Sequence, residues 1–362
     1  MIGYYPKALI LIEGFMAPTV REIEHVLPAR AALPATRADE PISVGLSAAI
    51  VAVRGDEPMV AVVPNRGAHP HDAALPCGPF SPRQHKTLEA GLRFWVRQQT
   101  GIELGVARQI CTLGESPQEE FPGQDRAVVS VCYLAPVRPE HCSEVGDATW
   151  QSWYAYFPWE DWRRGKPQCL REVIEPRLEA WAAVALDDCA DNADRNGLER
   201  SRRLRIAFGR DGAAWDEEKV LERYELLCEA GLAGDGAQTV QHARSVGRLV
   251  PTLTHPLLGD HARVLASAIG ELRRCLKCEP IIFELMPEVF TLFELQKTVE
   301  AILGPHLHKQ NFRRLVESGG LVEPTGEHRL RTGGRPARLY RFRRDVLLER
   351  LAPGVRVKAG RG

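Results

Sequence analysis

An amphipathic helix that ends in a Thr-Gly stop is predicted over residues 87–102, TLEAGLRFWVRQQTGI. Carboxylates spaced three and four residues apart on a helix share one face, where they can hold a divalent cation against a phosphate. This helix instead carries aromatic and amide side chains at the positions before its stop, namely Phe94, Trp95, Gln98 and Gln99. Because neutral amides are poor ligands for Mg²⁺, we expect no metal site and no metal-dependent hydrolysis here.

The carboxy-terminal part of the chain concentrates positive charge. The whole chain has 47 basic and 47 acidic residues, yet seven arginines and no acid lie between Arg329 and Arg344. Lysine and arginine at this density neutralise phosphates, while Gln, Asn and Arg can bind base edges. We therefore predict a DNA-binding surface formed by Lys309, Gln310, Asn311, Arg313, Arg314, Arg331, Arg335 and Arg338. The alternative is a solvated basic hairpin on an ordinary α/β domain.

The elements around these residues follow the order of a winged helix-turn-helix. Thr291 is placed to cap a first helix that Gly304 ends, and HLHKQNFRRLVESGG is predicted to form the second helix. LVEPTGEHRL and RPARLYRFRR are predicted to be two strands joined by the turn RTGG. In such an arrangement the second helix enters a major groove and the hairpin lies beside the DNA backbone.

The amino-terminal half is rich in strand patterns and is followed by helical ones. Strands are predicted at 42–53, in MVAVVPN, at 107–115 and at 128–137. Helical periodicity appears in CLREVIEPRLEAWAAVAL, in DEEKVLERYELLCEAGL with a start at Asp216 and a stop at Gly231, and in DHARVLASAIGELRRCL with a cap at Asp260. The polar stretch DNADRNGLERSRR between the first two is predicted to be a loop.

These patterns resemble a known fold and a known class of regulator. A strand, a loop with Gly78 and a helix ending at Thr100-Gly101 resemble the Nudix hydrolase fold, whose box has Arg-Glu and Glu-Glu where this chain has Phe94-Trp95 and Gln98-Gln99. YFPWEDWRRGKP, ELMPEVFTLFELQ and GRPARLYRF resemble the Nudix-related transcription regulators of the NrtR-like family, closest to NadQ-type repressors of NAD synthesis. The resemblance implies an α+β chain: a Nudix-like α/β/α sandwich with a helical insertion, followed by a carboxy-terminal winged helix-turn-helix.

The same resemblance implies a division of the chain. Residues 1–40 are expected to be an extension, 41–278 an effector-sensing domain, 279–350 the winged helix and 351–362 a tail. Residues 168–255 are expected to be the helical insertion, with an independent helical linker as the alternative.

The resemblance further implies an effector nucleotide: ADP-ribose, NAD or ATP. Since the metal carboxylates are missing, cationic side chains would have to hold the phosphates. The candidates for effector binding are Arg66, Arg93, Arg97 and Arg126, with Phe80 or Tyr133 to stack on the base or line the pocket. Asp125 and Glu115 are interpreted as plain loop acids. No metal and no resident cofactor are expected.

The function expected from this resemblance is a homodimeric, DNA-binding repressor of NAD-metabolism genes that is not an enzyme. Two alternatives stay open: an active Nudix-type pyrophosphohydrolase with an appended nucleic-acid module, and a nucleic-acid binder without a ligand. Nine cysteines without regular spacing indicate reduced thiols, and the apolar run ALILI is too short for a membrane span. With no signal-peptide pattern, a cytoplasmic location is expected.

Overall fold

The computed structural model describes residues 42–64, 73–115, 128–142, 146, 148–184, 193–234, 255–329, 336–349 and 354–355. Its strands are β1 (Ser43–Arg54), β2 (Glu57–Pro64), β3 (Ala73–Ala74), β4 (Cys77–Pro79), β5 (Arg108–Glu115), β6 (Val128–Pro136), β7 (Thr149–Ser152), β8 (Val322–Arg329) and β9 (Ala337–Phe342). Its α-helices are α1 (Leu88–Thr100), α2 (Glu175–Val184), α3 (Ala193–Ala207), α4 (Val220–Glu229), α5 (His261–Cys278), α6 (Leu292–Leu303), α7 (Lys309–Ser318) and α8 (Val346–Glu349). The predicted extension 1–40 lies outside the described residues.

Seven strands form one mixed sheet around β1. β1 pairs antiparallel with β2 through the turn at Gly55, and parallel with β6 from Ser43↔Val128 to Val51↔Pro136. β5 adds antiparallel to β6, β7 and β3 add to β2, and β4 pairs with the start of β1. The strands predicted from sequence at 42–53, 107–115 and 128–137 are thereby confirmed as neighbours in one sheet.

β1 is buried on both faces because helices cover both sides of the sheet. Its even-numbered residues Leu46, Ala48 and Ile50 pack with Leu92 and Val96 of α1. Its odd-numbered residues Ala49, Val51 and Val53 belong to the other core, which includes Leu265, Ile269 and Leu272 of α5. Side chains alternate along a strand, so a continuous apolar run is what a strand between two helical layers requires. The predicted α/β/α sandwich is confirmed.

The helical segment packs onto the same core as α5. A π turn at Leu170–Ile174 leads into α2, and its Leu170 and Ile174 belong to that core together with Leu178. The predicted start at Asp216 is early, since α4 begins at Val220 and the Asp216 carboxylate accepts the Glu218 N–H in the preceding turn at 3.0 Å. Asp260 does precede α5, but its carboxylate binds Arg263 instead of capping the backbone.

The prediction of a loop at DNADRNGLERSRR was wrong, because this stretch contributes most of α3. Leu204 and Ala207 bury a narrow apolar stripe. Arg200 lies over the Trp181 ring at 4.5 Å, and Arg203 pairs with Glu229 at 2.5 Å. Contacts with the preceding helix α2 and the following helix α4 therefore stabilise a helix whose own composition is polar.

The carboxy-terminal elements form the predicted winged helix. A 3₁₀ segment, Pro280–Leu285, precedes α6, where Thr291 and Glu294 form a reciprocal capping box. Gly304 ends α6 with φ 96, α7 follows, and β8 and β9 pair antiparallel from Val322↔Phe342 to Arg329↔Ala337. Among the arginines of β9, Leu339 is buried and Phe342 is half-buried. The RTGG turn lies outside the described residues.

The end of α6 is attached to the sheet domain, by which we mean residues 42–278. The Tyr154 hydroxyl donates to the Ala301 carbonyl at 2.8 Å and the Arg273 Nε donates to the Ile302 carbonyl at 2.9 Å. Arg273 and Arg223 both bind the Glu160 carboxylate, and the side chains of all three are fully buried. The bonds from Tyr154 and Arg273 satisfy backbone carbonyls that the end of a helix otherwise leaves without partners.

Candidate nucleic-acid interface and effector face

Helix α7 separates an anchoring face from a cationic face. Phe312 and Val316 are one turn apart and buried at 3% and 0% exposure, which fixes the helix on the winged-helix core. The five residues that sequence analysis selected on this helix are all exposed: Lys309, Gln310, Asn311, Arg313 and Arg314. Within the described part of the chain, none of the three cations has an ion-pair partner. They are therefore available to phosphates.

The arginines of the hairpin are less available than their density suggests. Arg341 pairs with Glu323 at 2.6 Å, Arg343 with Glu349 at 2.6 Å, and Arg329 with Glu294. Glu323 lies before the arginine run in sequence, and the pairing of β8 with β9 places it opposite Arg341. Glu349 lies after the run, in α8, and folds back onto Arg343. The local positive excess is consequently smaller than the count between Arg329 and Arg344 indicated.

Two hairpin arginines face solvent without such a partner in the described residues. Arg338, a predicted contact, is exposed and lies 5.7 Å from the centre of the Tyr340 ring. Arg344 is also exposed, and sequence analysis did not select it because only the structure separates paired from unpaired arginines. The predicted contacts Arg331 and Arg335 lie outside the described residues.

Glu300 braces the turn that orients α7. Its carboxylate is 4% exposed and accepts the Leu307 N–H at 2.9 Å and the Gln296 amide at 2.8 Å, with Lys297 and His306 each at 3.3 Å. Burial alone would raise the pKa of Glu300, but these hydrogen bonds outweigh it and the pKa is lowered. A charged carboxylate thus holds the connection between α6 and α7 in one geometry.

The box face of α1 is occupied by bonds to the neighbouring strand. Gln99 accepts the Cys77 N–H at 3.0 Å and donates to the Cys77 carbonyl at 2.7 Å. Trp95 donates its indole N–H to the Pro79 carbonyl at 2.9 Å and lies flat against Gly78, where a Cβ would fall 2.3 Å from the ring. Two of the four box positions therefore bind β4, while Gln98 is exposed.

An aromatic cluster covers the same face. Phe94 is 43% exposed and contacts Trp95 edge-on, with ring centroids 5.2 Å apart. His85 joins the rings of Phe80 at 5.9 Å and Phe94 at 5.4 Å. Aromatic side chains thus occupy positions 94 and 95, and Phe80 is half-buried beside them.

The other predicted effector residues differ in how accessible their side chains are to a ligand. Arg93 is engaged by Glu89 at 2.7 Å and by the carbonyls of Leu104 and Gly105, which makes it a clamp on the loop after α1. Arg97 is 70% exposed and its partner Glu103 is 3.4 Å away. Tyr133 is 5% exposed, and burial raises its pKa. The side chain of Tyr133 therefore belongs to the core in this conformation and cannot stack on a base. The interpretation of Glu115 as a loop acid was wrong, because Glu115 is the last residue of β5 and pairs with Val128. Arg66, Arg126 and Asp125 lie outside the described residues.

No group of three or more His, Cys, Asp or Glu side chains is placed to hold a metal ion in the described part of the chain. Each helix that the structure describes is too short or too polar to cross a membrane.

Comparison with known proteins identifies the carboxy-terminal domain. A family model described as the NrtR DNA-binding winged helix domain matches residues 282–342. The protein named ADPR responsive transcriptional repressor NtrR, from Acinetobacter baylyi, is 38% identical over 107 residues, which are 29% of this chain and 42% of that protein. The match thus spans less than half of the relative's length.

Two solved structures align with this chain at a TM-score of 0.49. Shewanella oneidensis NrtR complexed with a 27mer DNA is 18% identical, with 83% of this chain and 94% of that chain covered. A MutT/nudix family protein from Enterococcus faecalis is 15% identical, with 91% and 100% covered. The predicted fold class is confirmed on the topology above, in which a mixed sheet holds a strand, a loop and a helix ending in Thr-Gly. Residues 282–342 thus match the NrtR DNA-binding winged helix domain, and an α+β domain built on a mixed sheet precedes them.

Proposed function

We propose that this chain is a DNA-binding transcriptional repressor whose Nudix-like domain senses an NAD-related nucleotide. The observation that carries the proposal is the pairing of two features in one chain. Helix α7 presents Lys309, Arg313 and Arg314 to solvent without acidic partners in the described residues, within a domain of a DNA-binding family. The box helix α1 meanwhile binds backbone with Trp95 and Gln99.

The relative from Acinetobacter baylyi, named as an ADPR-responsive repressor, supports ADP-ribose as the first effector to test. On this chain the ligand would lie on the box face, with its base near Phe80 and Phe94 and its phosphates near Arg97. Arg66 and Arg126 stay proposed phosphate contacts. Arg93 and Tyr133 leave the set, because the first is held by Glu89 and two carbonyls and the second is buried.

The repressor is proposed to act in the cytoplasm as a homodimer on NAD-metabolism genes, in the manner of NadQ-type regulators. A two-fold dimer presents two recognition helices to paired half-sites about one helical turn apart. Light scattering coupled to size-exclusion chromatography checks the assembly. A monomer at the concentrations that saturate DNA would contradict the dimer.

The test of the whole proposal is DNA binding with and without nucleotide. Duplexes are selected from a random pool by the full chain, and affinity is measured by fluorescence anisotropy. We expect ADP-ribose to change the dissociation constant by about fivefold or more, the lower end of typical coupling between two sites. NAD and ATP are run in parallel. Specific DNA binding that no nucleotide alters would favour the plain binder, and an absence of specific binding would overturn the proposal.

An active pyrophosphohydrolase is the rival function. Mg²⁺ bound to a pyrophosphate needs oxygen ligands with negative charge, and the amide of Gln99 is already bound to Cys77. We expect no turnover of ADP-ribose above background with Mg²⁺ or Mn²⁺, where turnover is measured as the release of AMP. Turnover at ordinary enzyme rates, on the order of 1 s⁻¹ or faster, would favour the rival.

A further inference from the structure

A cleft with a volume of about 620 Å³ opens between residues 162–175, which follow β7, and residues 208–215, which follow α3. Its volume is within the range of about 300–1,000 Å³ that small-molecule sites occupy. Trp162, Phe208 and Trp215 line it together with Lys166, Arg210 and Asp211. None of the described residues that line it belongs to α1 or to the winged helix, so it is separate from both surfaces described above.

One wall of the cleft is aromatic and rigid. The rings of Trp162 and Trp215 have centroids 4.8 Å apart at 58°, and Phe208 meets Trp215 edge-on at 6.4 Å. The Arg223 guanidinium lies 4.0 Å from the centre of the Trp215 ring and is itself fully buried, so it contacts that ring from the protein side. Half-buried indole rings held in this way offer a stacking surface to a planar ligand.

The charge behind the wall selects between ligands. A cation already contacts Trp215, so a second cation on the cleft side would be repelled, whereas a neutral, electron-rich heteroaromatic ring would not. Glu160 fixes Arg223 through bonds of 2.5 and 3.1 Å, which keeps this cation in place. The wall therefore favours a purine-like ring over a quaternary ammonium or a pyridinium.

The rim supplies groups for the rest of such a molecule. Arg210 and Lys166 are 30% and 41% exposed, and their partners are Glu179 and, at 2.7 Å, Glu175. The Arg210–Glu179 pair is partly exposed and such pairs are weak, so a phosphate can displace Glu179 from a guanidinium that it binds with two parallel hydrogen bonds. The carboxylates of Glu175 and Asp211 line the cleft and are acceptors for sugar hydroxyls.

The turn that carries Arg210 is strained, which is consistent with a constraint beyond packing. Asp211 has φ 50 and is the non-glycine residue with a left-handed backbone in the described part of the chain. It lies between Gly209 at φ 59 and Gly212 at φ 85. Backbone conformations of this kind cluster at ligand clamps and switch segments.

We propose that this cleft is a second ligand site, which binds a purine nucleoside monophosphate. The base stacks on Trp162 and Trp215, and the phosphate binds Arg210 and Lys166. The proposal does not depend on the effector face of α1, and it stands or fails independently of the repressor function.

Isothermal titration of the full-length chain with AMP tests the site. We expect one AMP per chain, and binding at least about tenfold weaker for adenosine, which lacks the phosphate, and for ribose 5-phosphate, which lacks the base. Trp162→Leu is expected to weaken AMP binding about tenfold, while Trp162→Phe, which keeps a ring, retains most of it. The absence of AMP binding would overturn the proposal.

A pair of arginine variants locates the site without disturbing the core. Arg210→Gln is expected to weaken AMP binding at least about fivefold. Arg203→Gln is the matched control, because Arg203 is also an arginine paired with a surface glutamate, Glu229 at 2.5 Å, and does not line the cleft. Equal AMP affinity in Arg210→Gln and wild type would mean that AMP binds elsewhere, and would overturn the assignment. ADP-ribose should still alter DNA binding in Arg210→Gln, which separates this site from the proposed effector face.

Discussion

Gln99 binds the backbone of Cys77 with both ends of its amide, accepting from the N–H and donating to the carbonyl. A carboxylate at this position has no hydrogen to donate and would face the carbonyl oxygen. The amide is therefore the residue that this packing requires, and the same choice removes a metal ligand. At the residue scale, the amide at position 99 has a structural reason as well as a chemical consequence.

Gln99→Glu is accordingly expected to destabilise the chain by about 1–2 kcal/mol, the cost of a hydrogen bond lost beside a repelling oxygen. Urea denaturation at neutral pH measures it. Gln98→Glu is the control, since Gln98 is exposed and the change should leave stability within about 0.5 kcal/mol. Equal stabilities for the two variants would show that the bonds to Cys77 contribute nothing. The double variant is expected to remain without hydrolase activity, because Phe94 and Trp95 still occupy the other box positions.

Also at the residue scale, Glu271 makes a pH-dependent contribution to the free energy of unfolding. The hydrogen bond from Arg274 is the largest influence on the pKa of Glu271, and further hydrogen bonds come from Cys275 and Arg108. Together they outweigh the effect of burial and lower this pKa from 4.5 to about 2. Because the folded pKa lies below the unfolded one, its contribution is complete above pH 4.5 and is lost as the pH falls toward 2. Wild type should therefore exceed Glu271→Gln in unfolding free energy at neutral pH, and the gap should close on acidification through that window. A gap that is independent of pH in urea titrations would contradict this.

At the scale of elements, α7 was predictable because its apolar and cationic residues already segregate at helical spacing. Phe312 and Val316 identify the inner face, which leaves Lys309, Arg313 and Arg314 outside. The hairpin was less predictable, since strand pairing decides which arginines meet acids such as Glu323. Helix α3 was missed for the opposite reason: its polarity suggests solvent, but partners on α2 and α4 stabilise it.

Arg313→Ala and Arg314→Ala are expected to weaken binding to selected duplexes while leaving the melting temperature unchanged. Each removed phosphate contact should reduce the slope of log affinity against log salt by about 0.9. Anisotropy titrations at several salt concentrations measure both quantities. Arg171→Ala is the control, because Arg171 is 63% exposed and lies far along the chain from the winged helix. Unchanged affinity in both variants would remove α7 from the recognition surface.

At the scale of the whole molecule, the buried carboxylate of Glu160, which follows β7, connects helix α4 with helix α5. Glu160 binds Arg223 and Arg273, and Arg273 also binds the Ile302 carbonyl at the end of α6. Burial opposes the charged form of Glu160, but the two guanidinium groups prevail and its pKa is lowered. Helices α4 and α5 and the winged helix thus share a charged junction.

Removing that carboxylate leaves two buried guanidinium groups without their counter-charge. Glu160→Gln is therefore expected to destabilise the chain by about 3–5 kcal/mol. The neighbouring Asp161→Asn is the control, since Asp161 pairs with Arg163 at 2.8 Å nearer to the surface and should cost about 1 kcal/mol. Chemical denaturation of both variants distinguishes them, and a loss below about 1 kcal/mol at Glu160 would refute the proposed role of the junction.

Gly304 is the second point where the winged helix meets the sheet domain. A Cβ there would lie 3.3 Å from the Glu160 carbonyl and from Trp162, and its φ is 96. Gly304→Ala is expected to weaken DNA binding several-fold, because the turn before α7 must shift. Gly326→Ala shares the left-handed backbone at φ 85 but has open space around it, and so controls for backbone strain alone. If both variants bind DNA equally well, the contact does not orient α7.

The sequence alone determined the long strands of the sheet, the winged helix and the amides at positions 98 and 99, since these depend on local periodicity, caps and residue identity. Gly304 and Thr291 were identified as helix boundaries for that reason. Only the tertiary structure decided which arginines remain unpaired, that Arg93 is a clamp, that Tyr133 is buried and that a cleft forms beside Trp162 and Trp215. Most of these properties arise from contacts between residues far apart along the chain, about which local spacing carries no information, while the Arg93 clamp depends on how the loop after α1 folds back.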